Sequence, residues 1–466
     1  MLFTVLISGI FLSGCTASDE DLSKYEQILS DANVLISSRE YTSAMEKLSE
    51  GVDLIPSKVE ALEKMVNIFL IKNRIDDALA IIDESGVKLN GEDKGYLYIL
   101  VGNSAYEMRD FENALYAYKL GEDVSNDKRI LLGKAKVYLQ KGQVEDAKKL
   151  LKSNFEGNEY IEGQLLLSYI DGLNDTNESM KYIEDVEPGD EWRNTYAKWK
   201  SILESLTEDE LFNRAKLGKL YIDVGYPYLA ISVLEPRKDE MGEYADGQYL
   251  LGKAYNEVGE YQKSVDLLEE SSSITDYNTH IYWILARDYY LLNNVEDSFS
   301  YYDSAIASLG NKSIPELYTE YLELLLETNQ TEKALEIMRI ADRSSDEYWV
   351  NLKYLKIYSL RGDKEQFSYN LDSIEYESLS EQEKREYLYW QGQSLIDSSE
   401  FDELRRILDI FSELDKYDPR YNLLVAKMNF KEGNLEEARV YSKKTIEYDL
   451  NRLVTEDAQK LLAQID

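Results

Sequence analysis

The sequence predicts an all-α protein, an α-solenoid of about twelve helix-turn-helix repeats in two arrays. Three observations predict it. Small residues recur along the chain at near-constant intervals, and Gly or Asn recurs where those intervals place a turn. No segment shows the sustained two-residue alternation, bounded by turn signals, that marks strands. The composition is compatible with this. The chain has 466 residues, 44% hydrophobic and 30% charged, too apolar for a disordered chain and too polar for a multispanning membrane protein.

The charge and the rare residues exclude several functions. Lys and Arg number 52 against 89 Asp and Glu, a formal charge of −37, which repels nucleic acid over most of the surface. One Cys rules out an internal disulfide framework or a Cys-rich zinc module, and one His rules out two-His zinc sites. His280 has no Gly-x-Ser-x-Gly nucleophile elbow to serve, and no phosphate-binding Gly-rich loop ending in Lys-Ser/Thr occurs. The oxygen-rich stretch from Asp171 to Glu178 lacks the ligand spacing of a calcium loop and reads as a turn. The reading is therefore not an enzyme, with no cofactor and no metal.

The first element is residues 2–14, the one long uncharged apolar run. As a helix it would reach about 20 Å, short of the roughly 30 Å hydrocarbon core, so it has the length of a signal-peptide apolar region. It ends in Leu12-Ser13-Gly14-Cys15 and is followed by polar residues from Thr16. This segment resembles the bacterial lipobox. The resemblance implies that residues 1–14 are a signal peptide and that Cys15 becomes the lipidated N-terminus, anchoring the chain to a bilayer. No Lys or Arg precedes the run, a departure from the pattern. Residues 15–21 are expected to be the linker.

The repeats follow. The recurring position is held by Ala44, Ala78, Ala114, Ala147, Ser179, Ala230, Ser264, Ser298, Ala334, Phe367, Leu404 and Ala438, at intervals of 32 to 37 residues with a single gap of 51. Two helices of about 12–15 residues with two short turns consume about 34 residues. A second small position, where the first helix (helix A) crosses the second (helix B), is held by Ala32, Gly102, Ala135, Gly218, Gly252, Ala286, Gly392 and Ala426. The intervening turn needs positive φ, and Asn73, Gly142, Gly225, Gly259, Asn293, Asn329, Gly362 and Gly433 fall there. Segments such as Val101–Tyr118 and Leu251–Leu268 resemble the tetratricopeptide repeat, which implies a right-handed superhelix whose helix-A face holds partner segments.

The resemblance covers about residues 22–450, as array 1 over 22–186 and array 2 over 207–450. The segment 187–206, with Pro188, Gly189 and Trp192, is expected to be an insertion and hinge between them. Phe367 and Leu404 stand where small residues belong, so the helix pairs there are expected to be splayed or shifted in register. Residues 451–466 read as a capping helix, with Leu453, Ala458, Leu461 and Leu462 at helical spacing.

Candidate binding residues come from the resemblance. The residue after the helix-A crossing position points inward in that family. Here it reads Asn33, Asn67, Asn103, Lys136, Lys219, Lys253, Arg287, Glu323, Lys356, Gln393 and Lys427. Tyr106, Tyr249, Trp283, Tyr290, Trp349, Tyr389 and Phe430 are expected beside them. A cationic floor with aromatic walls suits an extended protein or peptide partner with acidic segments. Asn33 and Asn67 are similar to part of the carboxylate clamp of chaperone-binding members, but Leu29 stands in place of the clamp's Lys, so that specificity is not carried over. The expected function is a membrane-anchored, extracytoplasmic scaffold in envelope assembly, secretion or export. The alternatives are an arm of an envelope enzyme complex and a cytoplasmic adaptor with a misassigned start.

Overall fold

The computed structural model describes residues 18–155, 160–184, 186–243, 245–271, 278–310, 312–344 and 349–465. Leu12, Ser13, Gly14 and Cys15, expected from the sequence to form a lipobox, lie outside them. Among the described residues every regular element is helical, with twenty-six α-helices and no strand. Twelve pairs account for twenty-four of them. The chain divides into two compact units at Ile130/Leu131.

The first unit contains α1 (Asp19–Ser37), α2 (Tyr41–Leu54), α3 (Val59–Ile71), α4 (Ile75–Ser85), α5 (Gly91–Glu107) and α6 (Phe111–Val124). Helix α1 starts at Asp19, three residues inside the expected linker, because the Ser18 and Asp21 side chains form a reciprocal capping box. Each helix packs on the next in sequence, and α3 also packs on α5. Tyr25 joins neighbouring repeats: its buried hydroxyl accepts from the Ala61 amide at 3.0 Å and donates to Glu60. Burial, with Glu60 alongside, pushes this phenol up to about 12.

Helix α7 (Lys128–Gln140) runs through the division. The second unit continues with α8 (Val144–Asn154), α9 (Ile161–Asp171), α10 (Thr176–Glu184), α11 (Asp190–Glu204), α12 (Glu210–Asp223), α13 (Pro227–Leu234), α14 (Ala245–Glu257) and α15 (Tyr261–Ser271). Then come α16 (Asn278–Leu291), α17 (Val295–Ser308), α18 (Pro315–Glu327), α19 (Thr331–Ser344), α20 (Trp349–Arg361) and α21 (Lys364–Ser373). The last are α22 (Glu381–Ser398), α23 (Phe401–Asp415), α24 (Pro419–Glu432), α25 (Leu435–Tyr448) and α26 (Thr455–Ile465).

One local geometry generates the pairing. All eight predicted turn residues have positive φ, and Arg39, Arg109 and Ser399 join them in the first, third and eleventh repeats. At each of these eleven turns the amide of the following residue reaches back to the carbonyl five positions earlier, at 2.7 to 3.0 Å. This is the Schellman motif, which closes the end of helix A. The same following residue is the N-cap of helix B, and Asp110, Asn294 and Asp363 accept from backbone amides there. Helix A therefore turns into helix B with a very short connection.

Small crossing residues let the two helices meet. A Cβ on Gly102 would lie 2.5 Å from the Tyr118 ring, so only glycine admits that ring. Where Ser replaces Ala on helix B, its hydroxyl donates to a helix-A carbonyl: Ser264 to Gly252 and Ser298 to Ala286. These bonds satisfy buried hydroxyls and tie the pair together.

Two boundaries differ from the sequence expectation. Segment 187–206 is a built-in helix, α11, whose Trp199 is fully buried in a core that runs from Leu132 to Tyr255. The Trp199 ring meets Tyr169 edge-on at 4.9 Å, and its Nε1 donates to Ser168 Oγ. The expected hinge is thus packed into the second unit. The chain divides into its compact units instead at Ile130/Leu131. The fifth pair, α9/α10, explains why α11 is needed. Its turn residue Gly172 is right-handed helical, at φ −48°, and its close-packed serines, Ser168 and Ser179, are eleven residues apart instead of the usual twelve. At the C-terminus, α26 begins at Thr455 and packs on α24 and α25, while Leu453 is exposed in the preceding turn. The Asp449 carboxylate shapes that turn by accepting from the Leu453 and Val454 amides and from Thr455.

Candidate partner-binding face

The eleven candidate positions all stand six residues before a positive-φ turn residue, so they occupy one register on their helices. Their surroundings differ. In the first unit Asn33 and Asn103 are exposed and Asn67 is half-buried; Asn103 accepts a 2.7 Å hydrogen bond from the Tyr118 hydroxyl. Tyr106 packs against Phe111 with ring centroids 5.7 Å apart.

In the second unit three of the cations are matched by carboxylates on neighbouring helices. Arg287 on α16 forms a two-pronged pair with Glu320 on α18, and its guanidinium lies 4.4 Å from the Trp283 ring centroid. Glu320 also accepts from the Tyr302 hydroxyl. Burial works to raise the Glu320 pKa, yet the hydrogen bonds from Arg287 and Tyr302 prevail and hold it below the ordinary glutamate range. The same pair holds Arg287 more firmly protonated. Lys136 pairs with Glu162 on α9, and Lys427 bridges Gln393 on α22 and Asp457 on α26.

These three cations therefore link each helix A to the next one rather than facing a vacant floor. That revises the cationic floor expected from the sequence. The partner carboxylates Glu162, Glu320 and Asp457 were not singled out in the sequence reading. The available signal is their spacing, 26 to 33 residues after each cation, which is one repeat along and on the next helix A.

Lys219 and Lys253 behave differently. Lys219 is exposed and pairs only with Asp223 one turn along α12, at 3.2 Å; Lys253 reaches Glu257 on α14 at 4.0 Å. Such pairs along one helix surface are worth about 0.3–0.5 kcal/mol, so a competing carboxylate displaces them at little cost. Lys356 is half-buried, and Glu323 is an exposed acid in the row. Among the aromatics, Tyr389 is buried and Tyr249 packs on the Val265, Leu268 and Ile281 cluster. Phe430 is half-buried. Tyr290 is exposed, with its hydroxyl 3.4 Å from Glu327. The Trp349 side chain lies outside the described residues. Of the expected aromatic wall, Tyr389 is thus core and Tyr249 borders it, and Trp283 and Tyr290 are the members near the Arg287 pair.

With this geometry in view, the chain can be compared with known proteins. No protein-family model matches it, and no curated protein is significantly similar to it in sequence. Among solved structures it is similar to the crystal structure of the APC/C hetero-tetramer Cut9-Hcn1, at 12% identity, over 96% of this chain and 99% of that one, with a TM-score of 0.33. It is similar to the structure of Naa15/Naa10 bound to HypK-THB, at 12% identity over 93% and 80% of the two chains, with a TM-score of 0.37. The crystal structure of yeast Tom70 matches at 13% identity over 95% and 96%, with a TM-score of 0.34. These likenesses are loose; the tetratricopeptide-like architecture rests on the chain's own turns and crossings.

Among the described residues no group of three or more His, Cys, Asp or Glu is placed to hold a metal. None of the described helices is long and apolar enough to cross a membrane. The exposed His280 is on the first turn of α16.

Proposed function

We propose that this protein is a non-catalytic scaffold that holds a partner polypeptide along the helix-A register of the second unit, centred on α12 and α14. The observation that carries the reading is the contrast within the cation row. Lys136, Arg287 and Lys427 are engaged with neighbouring helices, whereas Lys219 and Lys253 have only weak partners within their own helices. A partner carboxylate approaching them gains a charge-assisted contact without dismantling the array. Rim charges of this kind steer association and add about 1 kcal/mol or less each.

The Leu12–Cys15 segment supports a lipid anchor as the second part of the proposal. Two or three acyl chains at Cys15 bury many CH₂ groups at about 0.8 kcal/mol each, which makes a durable tether. The array would then stand on the outer face of a membrane, a placement suited to envelope assembly, secretion or export.

The binding test is the Lys219→Glu/Lys253→Glu variant, assayed against the partner recovered by crosslinking. Affinity should fall about tenfold with helicity unchanged; unchanged affinity contradicts the reading. Adding Arg287→Glu should also lower stability, since it leaves Glu320 facing like charge. The anchor is tested by labelling with a fatty-acid analogue: Cys15→Ala should abolish the label, and persistent label would sink it.

A further inference from the structure

The second unit contains a cleft of about 270 Å³ where the turn end of the tenth repeat (α20/α21) meets α22 of the eleventh. Its origin is in the sequence. At the two crossing positions of the tenth repeat stand Leu355 and Phe367, both large and both buried, where other repeats have at least one small residue. Two bulky side chains prevent the close backbone approach that small ones allow. Space is left at the turn, walled by Tyr358, Phe367 and Leu395.

The rim is acidic. Asp363, Asp397 and Glu400 line the cleft against a single cation, Lys364. Asp363 is committed to its own helix, accepting from the Gln366 amide. Asp397 and Glu400 are exposed, and their carboxylates make no hydrogen bond or ion pair with other described residues. The cleft thus combines aromatic and aliphatic walls with two unengaged carboxylates at its mouth. It is smaller than the pockets that enclose drug-sized ligands and large enough for one long side chain.

We propose that this cleft receives one lysine or arginine side chain of a bound polypeptide. The alkyl stem lies against Leu395 and the rings of Tyr358 and Phe367, and the cationic head reaches Asp397 and Glu400. The inference rests on the reading of the chain as a polypeptide-binding array, but at a place distinct from Lys219 and Lys253 and with the opposite charge preference.

The test uses the full chain and two small probes, acetyl-Gly-Arg-Gly-amide and acetyl-Gly-Glu-Gly-amide, followed by titration calorimetry. The arginine probe should saturate in the millimolar range, and the glutamate probe should bind at least about tenfold more weakly. Asp397→Asn/Glu400→Gln should weaken the arginine probe about fivefold, and Ser394→Trp, which fills the cleft from α22, should abolish binding. The double variant changes two exposed side chains, so it remains informative if the Trp variant misfolds. Equal binding of the two probes, an unaffected double variant, or no saturation by the arginine probe overturns the proposal. Because neither probe needs the Lys219 and Lys253 positions, failure here is distinguishable from failure of the partner-binding reading.

Discussion

Asp288 lies in the last turn of α16 with no exposed surface, accepting from the Asn256 side chain of α14 at 2.7 Å. Burial pushes its carboxyl up to about 6, against the hydrogen bond from Asn256 and the nearby Arg287 charge. In the unfolded chain the group titrates near 3.9. The folded state therefore binds this proton more tightly, and its contribution to stability is full below about pH 4 and lost as pH rises through 6. At pH 7.5 the ionised group costs roughly 3 kcal/mol by this linkage. Asp288→Asn should raise stability at pH 7.5 by about 1–3 kcal/mol, with the gain vanishing near pH 4, as urea melts at several pH values will show. A gain independent of pH would assign the effect to packing. Nothing in the sequence marked Asp288 out among 89 acids, because its burial depends on α14, one repeat earlier. The inter-helix partners of Arg287 and Lys427 were hidden for the same reason: residue type was visible and its neighbour across the repeat was not.

The turn is the element that makes the fold, and it was largely legible. Eight Gly and Asn residues announced positive φ by identity. Arg39, Arg109 and Ser399 adopt the same conformation with side chains that do not advertise it, because the Schellman hydrogen bonds of the flanking helices impose it. A non-glycine residue in this region carries about 1 kcal/mol of strain. Arg109→Gly should therefore stabilise the third repeat by a few tenths to about 1 kcal/mol, the relief being partly offset by the freer unfolded chain. Thermal unfolding of the variant gives the check, and a clear loss of stability would mean that Arg109 makes a contact worth more than its strain. The small-residue crossings were equally readable, since Gly102 and Ala286 declare close approach by their size. Helix α11 was not readable as core. Its Pro-Gly entry looks like a linker, and only the docking of Trp199 on Tyr169 and Ser168 reveals its role.

At the scale of the whole chain, all five tryptophans lie between residues 192 and 390, inside the second compact unit, while helix is spread over both units. Repeat arrays lose two-state behaviour when their parts differ in stability. Urea unfolding followed by circular dichroism and by tryptophan fluorescence should give curves that do not coincide; superimposable curves would show that the units unfold together. The formal charge of −37 bears on association as well, since it repels acidic partners at long range and leaves local cations such as Lys219 and Lys253 to select the approach. The partner-binding account is tested most directly by photo-crosslinking in cells from single positions in the second unit. A crosslinking residue at Lys219 or Lys253 should capture one polypeptide reproducibly, and one at the exposed Asp266 of α15 should not. Equal capture from Asp266, or none from Lys219 and Lys253, would contradict it.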